Sequence, residues 1–288
     1  MKKAYLFAGI SILFWSSLAT VSKLLLGTMS SYQVLCVSAL FAGVTLLIVA
    51  LCNGKLARIK QYRAKDFLIM VLIGLPGTFL YYIFLYAGTD RMPASQAFII
   101  NYLWPIMSIV FSCLLLKEKM TVRKTIAIAM SFAGILTVAG KDLMQFNPSA
   151  LTGILLCVCA AVSYGVFTAL NKKYHYDTHI SMMVSFFASF LLSFLANLLL
   201  GMDMHITALQ TAGLAWNGIF VMALATTTWA LALNLGDTAK ISNLAYITPF
   251  LSLIWTGLFL KEPINLWSIT GLLIIVLGIF IQIKEKHV

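Results

Sequence analysis

The sequence has very few charged residues. Only 10% of its 288 residues are Asp, Glu, Lys or Arg, whereas 61% are hydrophobic. Water-soluble domains carry about 25% charged residues. The shortage of charge therefore excludes an ordinary water-soluble fold and predicts an all-α membrane protein.

Acidic and histidine side chains are absent from the most apolar parts of the sequence. None of the nine Asp and Glu and none of the four His lies deep within an apolar run. A buried proton relay requires such groups, and a site for an organic cation usually requires a carboxylate inside the membrane. The sequence therefore disfavours both.

Cysteine and catalytic motifs are also scarce. All five cysteines lie in apolar runs, where they behave as small apolar residues. The sequence has no G-x-S-x-G, H-E-x-x-H or P-loop pattern. The string His175-Tyr176-Asp177-Thr178-His179 lies in a predicted loop, where nothing would orient metal ligands, so we interpret it as a solvated turn. We expect no catalysis, no cofactor and no bound metal.

Long apolar runs follow one another with short polar breaks. A bilayer core of about 30 Å needs about 20 apolar residues per helix. We predict ten transmembrane helices, at residues 4–26, 32–52, 66–88, 93–116, 121–140, 150–171, 178–200, 209–234, 239–260 and 264–283. The first run is too long for a signal peptide and lacks a cleavage site, so we expect it to remain as a helix.

Positive charge is concentrated in alternate loops. Sixteen of the twenty Lys and Arg fall on one side of the predicted membrane. The four on the other side are Lys23, Arg91, Lys141 and Lys261. Cytoplasmic loops carry the excess of Lys and Arg, so both termini are predicted to be cytoplasmic. The net charge of +11 is thus a sign of topology and lipid contact and not of nucleic-acid binding.

The sequence repeats itself at half its length. Shifting it by 144 residues aligns 102–118 with 246–262, with seven identical positions. Identical residues include Pro105 with Pro249, and both segments end in Leu-Lys-Glu, at 116–118 and 260–262. Slightly larger shifts match Trp15 with Tyr164, Lys23 with Lys172, Thr78 with Thr226 and Gly88 with Gly236.

The repeat divides the chain into 1–140 and 150–288, which together form one membrane domain. Because each half has five predicted helices, the second half enters the membrane from the opposite side. Inverted repeats of this kind are typical of transporters, in which they give two related arrangements that open to opposite sides. Small residues on helices five and ten favour close packing, either within one chain or between two, so the protein is a monomer or a homodimer.

These residues resemble the drug/metabolite transporter superfamily in its ten-helix EamA-type form. The resemblance covers nearly the whole chain and rests on Phe14-Trp15-Ser16 with Lys23, on both proline-containing Leu-Lys-Glu helices and on the glycines of helices five and ten. Asn101-Tyr102-Leu103-Trp104-Pro105 is also similar to YddG-like exporters, a family that moves aromatic amino acids and related metabolites outward. The resemblance implies that helices one, three, four, six, eight and nine surround a central path.

Polar and aromatic residues are concentrated in those predicted helices. The candidates for the substrate path are Trp15, Ser16, Tyr81, Tyr82, Asn101, Tyr102, Trp104, Tyr164, Thr227, Trp229, Asn234, Asn243 and Tyr246. Asn side chains bind polar ends of a substrate and aromatic rings pack against its flat or apolar part. For any single ring, ordinary helix packing is the alternative.

Three further residues are candidates for roles along the path. Pro105 and Pro249 remove backbone hydrogen bonds at mid-membrane, which predicts either paired hinges or static kinks. Lys23 lies within an apolar run, about a turn from its outer end. Its ammonium either offsets a substrate carboxylate or extends to the lipid headgroups.

We therefore expect facilitated transport of a small organic metabolite by alternating access. The first substrate hypothesis is export of amino acids, aromatic or otherwise neutral, through a bacterial-type inner membrane. The alternative is a flippase or a transporter for lipid-linked or nucleotide-like metabolites, and a membrane scaffold comes third. The predicted partners are the substrate and membrane lipids, without nucleic acid.

Overall fold

All regular elements of the described chain are helices. The computed structural model describes residues 2–144, 147–203, 205–236, 241 and 244–283. The main helices are α1 Lys2–Leu26, α2 Ser31–Cys52, α3 Ala64–Arg91, α4 Ala94–Leu115, α5 Val122–Met144, α6 Pro148–Lys173, α7 Thr178–Leu199, α8 Ala208–Leu235, α9 Ala245–Leu260 and α10 Leu266–Ile283. The prediction of an all-α fold is thus confirmed for this part of the chain.

Eight of these helices, α1 to α8, are long and apolar enough to cross a membrane. Helices α9 and α10 are apolar but shorter within the described residues. The predicted boundaries agree closely with the structure for α4, and differ by a few residues for α3, which is longer at both ends. The crossing of the membrane by α9 and α10 stays a prediction.

Local polar residues fix where several helices begin. Ser30 accepts a hydrogen bond from the Gln33 amide, and the Gln33 side chain accepts one from the Ser30 amide, which together cap α2. Asp177 accepts hydrogen bonds from the amides of His179 and Ile180 at the start of α7. These caps satisfy amide groups that have no partner within a helix.

Four helices are irregular at related places in the two halves. Helix α3 has a π-helical segment at Pro76–Leu80, and α8 has one at Trp216–Leu224. Helix α4 is interrupted after Asn101 and resumes at Trp104, just before Pro105. Helix α9 begins with a 3-10 turn at Ala245–Ile247, shortly before Pro249.

Helix packing is reciprocal between the two halves. Helix α1 packs against α8 and α9, while α6 packs against α3 and α4. Helix α2 packs against α7, and α5 packs against α10 within the chain. The α5–α10 contact is close because a Cβ on Gly134 would lie 2.7 Å from the carbonyl oxygen of Gly271. Small residues therefore permit near contact of the two backbones.

Charged residues mark both ends of the bundle. Lys23, Arg91 and Glu262 lie at one end, which we name the Lys23 end. Glu118, Lys124 and Lys172 lie at the other, since α4 runs between Ala94 beside Glu262 and the turn that contains Glu118. We name it the Glu118 end.

Candidate functional site

An internal cavity of about 200 Å³ lies between helices of both halves. Eight of the residues predicted to form a substrate path line it, namely Trp15, Tyr81, Tyr82, Asn101, Tyr102, Trp104, Tyr164 and Trp229. They come from α1, α3, α4, α6 and α8, which are helices that the resemblance placed around the path. Helix α7 also contributes to the lining, through Met182 and Phe186.

Two aromatic pairs form much of the cavity wall. The rings of Trp15 and Trp229 have centroids 5.2 Å apart, and those of Tyr81 and Tyr164 are 4.9 Å apart. The second pair is continued by Trp104, whose ring lies 5.1 Å from that of Tyr164. Such tilted arrangements are favourable and hold the rings in defined positions. The pairs join α1 to α8 and α3 to α6, so each pair spans the two halves.

Asn101 provides a polar group in this aromatic wall. Its Nδ2 donates a hydrogen bond of 3.0 Å to the Tyr81 hydroxyl, which orients the amide. Its Oδ1 is buried and has no partner within the described part of the chain. A buried oxygen without a partner can accept a hydrogen bond from a bound molecule at little cost, because it has already been desolvated.

The described residues of the cavity wall include no Asp, Glu, Lys, Arg or His. Hydroxyl, amide and indole N–H groups are its polar components, and the apolar parts of aromatic, methionine and other side chains make up the rest. An isolated ion entering such a site would lose its hydration without a compensating charge. The wall therefore disfavours a molecule that carries a net charge.

Several predicted path residues lie elsewhere in the structure. The Ser16 hydroxyl accepts a hydrogen bond from Trp255 Nε1 at 3.0 Å, which ties α1 to α9. Tyr246 packs against Phe280, with ring centroids 5.2 Å apart. Thr227 is buried and bonds to a carbonyl of its own helix, whereas Asn234 is exposed. These four do not line the cavity.

The remaining predictions concern Lys23 and Asn243. Lys23 does not line the cavity. From α1 its side chain reaches the end of α3, where Nζ donates hydrogen bonds to carbonyl oxygens of Thr89 and Met92. Its ammonium is thus bound by a helix end. Asn243 lies outside the described residues.

Sequence reasoning missed some residues of the cavity. Phe98, Met182, Phe186 and Met222 line it and are ordinary apolar residues of their helices. Nothing in their type separates a cavity position from a packing position. Thr226, which also lines the cavity, could have been noticed in the sequence, because it matches Thr78 in the repeat.

Taken together, these features define a multi-pass membrane protein with an uncharged, aromatic-lined internal cavity. A model of the EamA-like transporter family matches residues 2–140 and 151–283. The chain therefore belongs to the EamA-like transporter family, as the resemblance of its motifs indicated.

Relatives of this chain include proteins named as transporters. It is 27% identical over 260 residues to "Uncharacterized transporter YvbV" of Bacillus subtilis (strain 168), which covers 86% of this chain and 83% of that one. It is 23% identical over 181 residues to "Aromatic amino acid exporter YddG" of Ancylobacter novellus, which covers 62% of this chain and 63% of that one. A solved crystal structure has the same fold, with a TM-score of 0.71 at 21% identity, covering 98% of this chain and 96% of the other.

Proposed function

We propose that this protein exports neutral amino acids, with aromatic ones preferred, by facilitated diffusion with alternating access. The observation that carries the proposal is the central cavity, which is internal, aromatic and free of charged residues in its described wall. The relative named as an aromatic amino acid exporter supports the same substrate class. The function is transport and not catalysis.

The cavity offers complementary groups for both parts of such a substrate. Asn101 Oδ1 accepts a hydrogen bond from the ammonium group of a zwitterion. The Tyr81 hydroxyl, which accepts the Asn101 amide, keeps its own proton to donate to the carboxylate. The aromatic pairs then hold the flat side chain by edge and face contacts.

The membrane arrangement that we propose is ten helices in two inverted halves, 1–140 and 150–288, in a bacterial-type inner membrane. Three observations support it: the family model matches the chain in two stretches, the helix packing is reciprocal, and positive charge alternates between loops. In this arrangement α9 and α10 also cross the membrane and both termini are cytoplasmic. The Lys23 end then faces outward and the Glu118 end faces the cytoplasm.

The absence of charge from the described cavity wall also supports facilitated transport. Coupling to protons requires a group that gains and loses a proton as the cavity changes sides. Without such a group in the described wall, we expect the substrate to move down its own gradient, with no net flux once the concentrations on the two sides are equal.

Counterflow in proteoliposomes tests the proposal. Vesicles preloaded with unlabelled Phe, Tyr or Trp should accumulate the same labelled amino acid, with or without a pH gradient. Asn101→Leu should abolish this exchange, whereas Asn171→Leu should retain it, because Asn171 bonds to the Phe167 carbonyl outside the cavity wall. Failure of exchange for every amino acid, with exchange of nucleotide-like or lipid-linked compounds instead, would replace the amino-acid proposal with that alternative.

A further inference from the structure

Glu262 joins the second half of the chain to the start of α4 in the first half. Its two carboxylate oxygens accept hydrogen bonds from the amides of Ala94 and Ser95, at 2.7 and 2.9 Å. These amides belong to the first turn of α4, where they have no partner within the helix. The positive end of the helix dipole adds to the attraction. The carboxylate thus ties the turn after α9 to α4.

Lys23 holds the neighbouring helix end in the complementary way. Its Nζ donates hydrogen bonds to the carbonyl oxygens of Thr89, Asp90 and Met92, at 2.6, 3.3 and 3.0 Å. Carbonyls at the end of a helix are the negative end of its dipole, so a cation is favoured there. Lys23 therefore links α1 to the turn between α3 and α4, and Glu262 links the turn after α9 to the same place. We name this arrangement the outer clamp.

The matching residues of the other half bind differently. Lys172 matches Lys23 in the repeat, and Glu118 matches Glu262. At the Glu118 end these two residues bind each other, with Lys172 Nζ donating to Glu118 Oε1 at 2.6 Å. Lys124 Nζ adds a second contact to the same carboxylate, at 3.4 Å. We name Lys172 and Glu118 the inner pair.

The backbone that presents the two glutamates is the same in both halves. The residue before each glutamate, Lys117 or Lys261, is left-handed, with φ of 58° and 54°. No other residue besides glycine has a positive φ in the part of the chain that the structure describes. In both halves it ends the helix, and the amide of the following glutamate donates to a carbonyl of the last turn, that of Ser112 or Thr256. Both glutamates are thus presented for the same kind of contact.

We propose that these four residues are gate residues that bind helix ends at whichever side is closed. In the outer clamp the lysine and the glutamate bind helix ends, which we call the bound form, and the outer side is closed. In the inner pair the lysine and the glutamate bind each other and not helix ends, which we call the released form, and the inner side is open. In the opposite state Lys23 and Glu262 pair with each other, and Lys172 and Glu118 take up the bound form. This inference rests on the proposed transport cycle, but it does not depend on the identity of the substrate.

The geometry explains why the outer clamp opposes opening. It joins α1 and the turn after α9 to the turn between α3 and α4, so the outer side cannot widen between them while five charge-assisted hydrogen bonds persist. Lys23 and Glu262 also line one polar pocket of about 500 Å³. In this structure the two side chains thus face the same pocket, which is the space in which the proposed Lys23–Glu262 pair would form.

Accessibility of a cysteine in the cavity tests the gate without any substrate. The five native cysteines are replaced by alanine, Thr226 of the cavity wall is changed to cysteine, and a membrane-impermeant maleimide is added outside. Glu262→Gln and Lys23→Gln should each raise the outside labelling rate by about tenfold, because each removes charge-assisted contacts of the closed outer side. Lys172→Gln should lower it, because Lys172 would lose the three carbonyl contacts that Lys23 makes in the outer clamp, against the single contact that it makes in the inner pair.

Arg91→Gln is the matched control. Arg91 lies at the same end and is exposed, and its Nη1 donates to the Ala87 carbonyl of its own helix, so its loss should leave labelling unchanged. Labelling is normalised to the amount of protein in the membrane, and Lys23→Gln replaces Glu262→Gln if the latter does not fold. Unchanged labelling in the outer variants, or a shift in the same direction in outer and inner variants, would overturn the gate. If labelling shifts in opposite directions in the outer and inner variants but no amino acid shows counterflow, the proposed substrate class is wrong and the gate proposal stands.

Discussion

Trp15 and Trp229 lie in tilted contact in the wall of the central cavity, with ring centroids 5.2 Å apart. Trp15 belongs to the first half and Trp229 to the second. The Tyr81–Tyr164 pair has the same relationship, since Tyr164 matches Trp15 in the repeat. Two aromatic pairs thus form much of the cavity wall, one of indoles and one of phenols, and each joins a residue of the first half to a residue of the second.

We expect Trp229→Ala to weaken binding of aromatic amino acids by about tenfold, because an aromatic contact contributes about 0.5–1.5 kcal/mol beyond the buried area. Competition by unlabelled Trp in counterflow measures the change in affinity. Trp267→Ala is the control, since Trp267 is 54% exposed on α10 and lies outside the cavity wall. An equal loss of affinity in both variants would contradict a specific role for the Trp229 ring.

The α5–α10 contact gives a prediction about stability. A Cβ on Gly134 would meet the Gly271 carbonyl oxygen at 2.7 Å, and a Cβ on Gly271 would meet the Gly134 oxygen at 2.6 Å. Gly134→Ala should therefore destabilise the fold by about 1–3 kcal/mol through overcrowding. The thermal unfolding temperature of the purified protein should fall by several degrees.

Gly140→Ala is the matched control for Gly134→Ala. Gly140 is in the same helix, but a Cβ there would have open space around it. Because alanine favours helix formation over glycine by about 1 kcal/mol, this change should not lower the unfolding temperature. A similar fall for both variants would show that the effect comes from α5 itself and not from its contact with α10.

The sequence predicted the helices better than it predicted their orientation. The apolar run 93–116 and its proline located α4 and the break before Pro105, since apolar length and a missing amide are properties of the chain itself. The orientation of Ser16 and Tyr246 was not predictable. In a membrane, a position facing lipid is as apolar as one facing a neighbouring helix, so composition alone does not tell which face lines a cavity.

The inner pair gives a prediction about pH. The hydrogen bond from Lys172 lowers the pKa of the Glu118 carboxyl, and Lys124 adds to the shift. A carboxylate with a lowered pKa stays charged above that value, so its pairing is lost only as the pH falls through it. Counterflow at equal pH on both sides should therefore be constant between about pH 6 and about pH 8. Loss of activity with a midpoint near about 6.5, the ordinary pKa of histidine, would contradict this expectation.

Pro105 follows the break in α4 and supplies no amide hydrogen to the carbonyl of Asn101, a residue of the cavity wall. Pro105→Ala restores that donor, which favours a continuous helix and should make the change between states slower. We expect the maximal counterflow rate to fall several-fold while the half-saturating substrate concentration stays nearly constant. Pro148→Ala is the control, because Pro148 is at the start of α6, where no amide partner is lost. A change in half-saturation alone would show that Pro105 shapes the cavity as a static kink and is not a hinge.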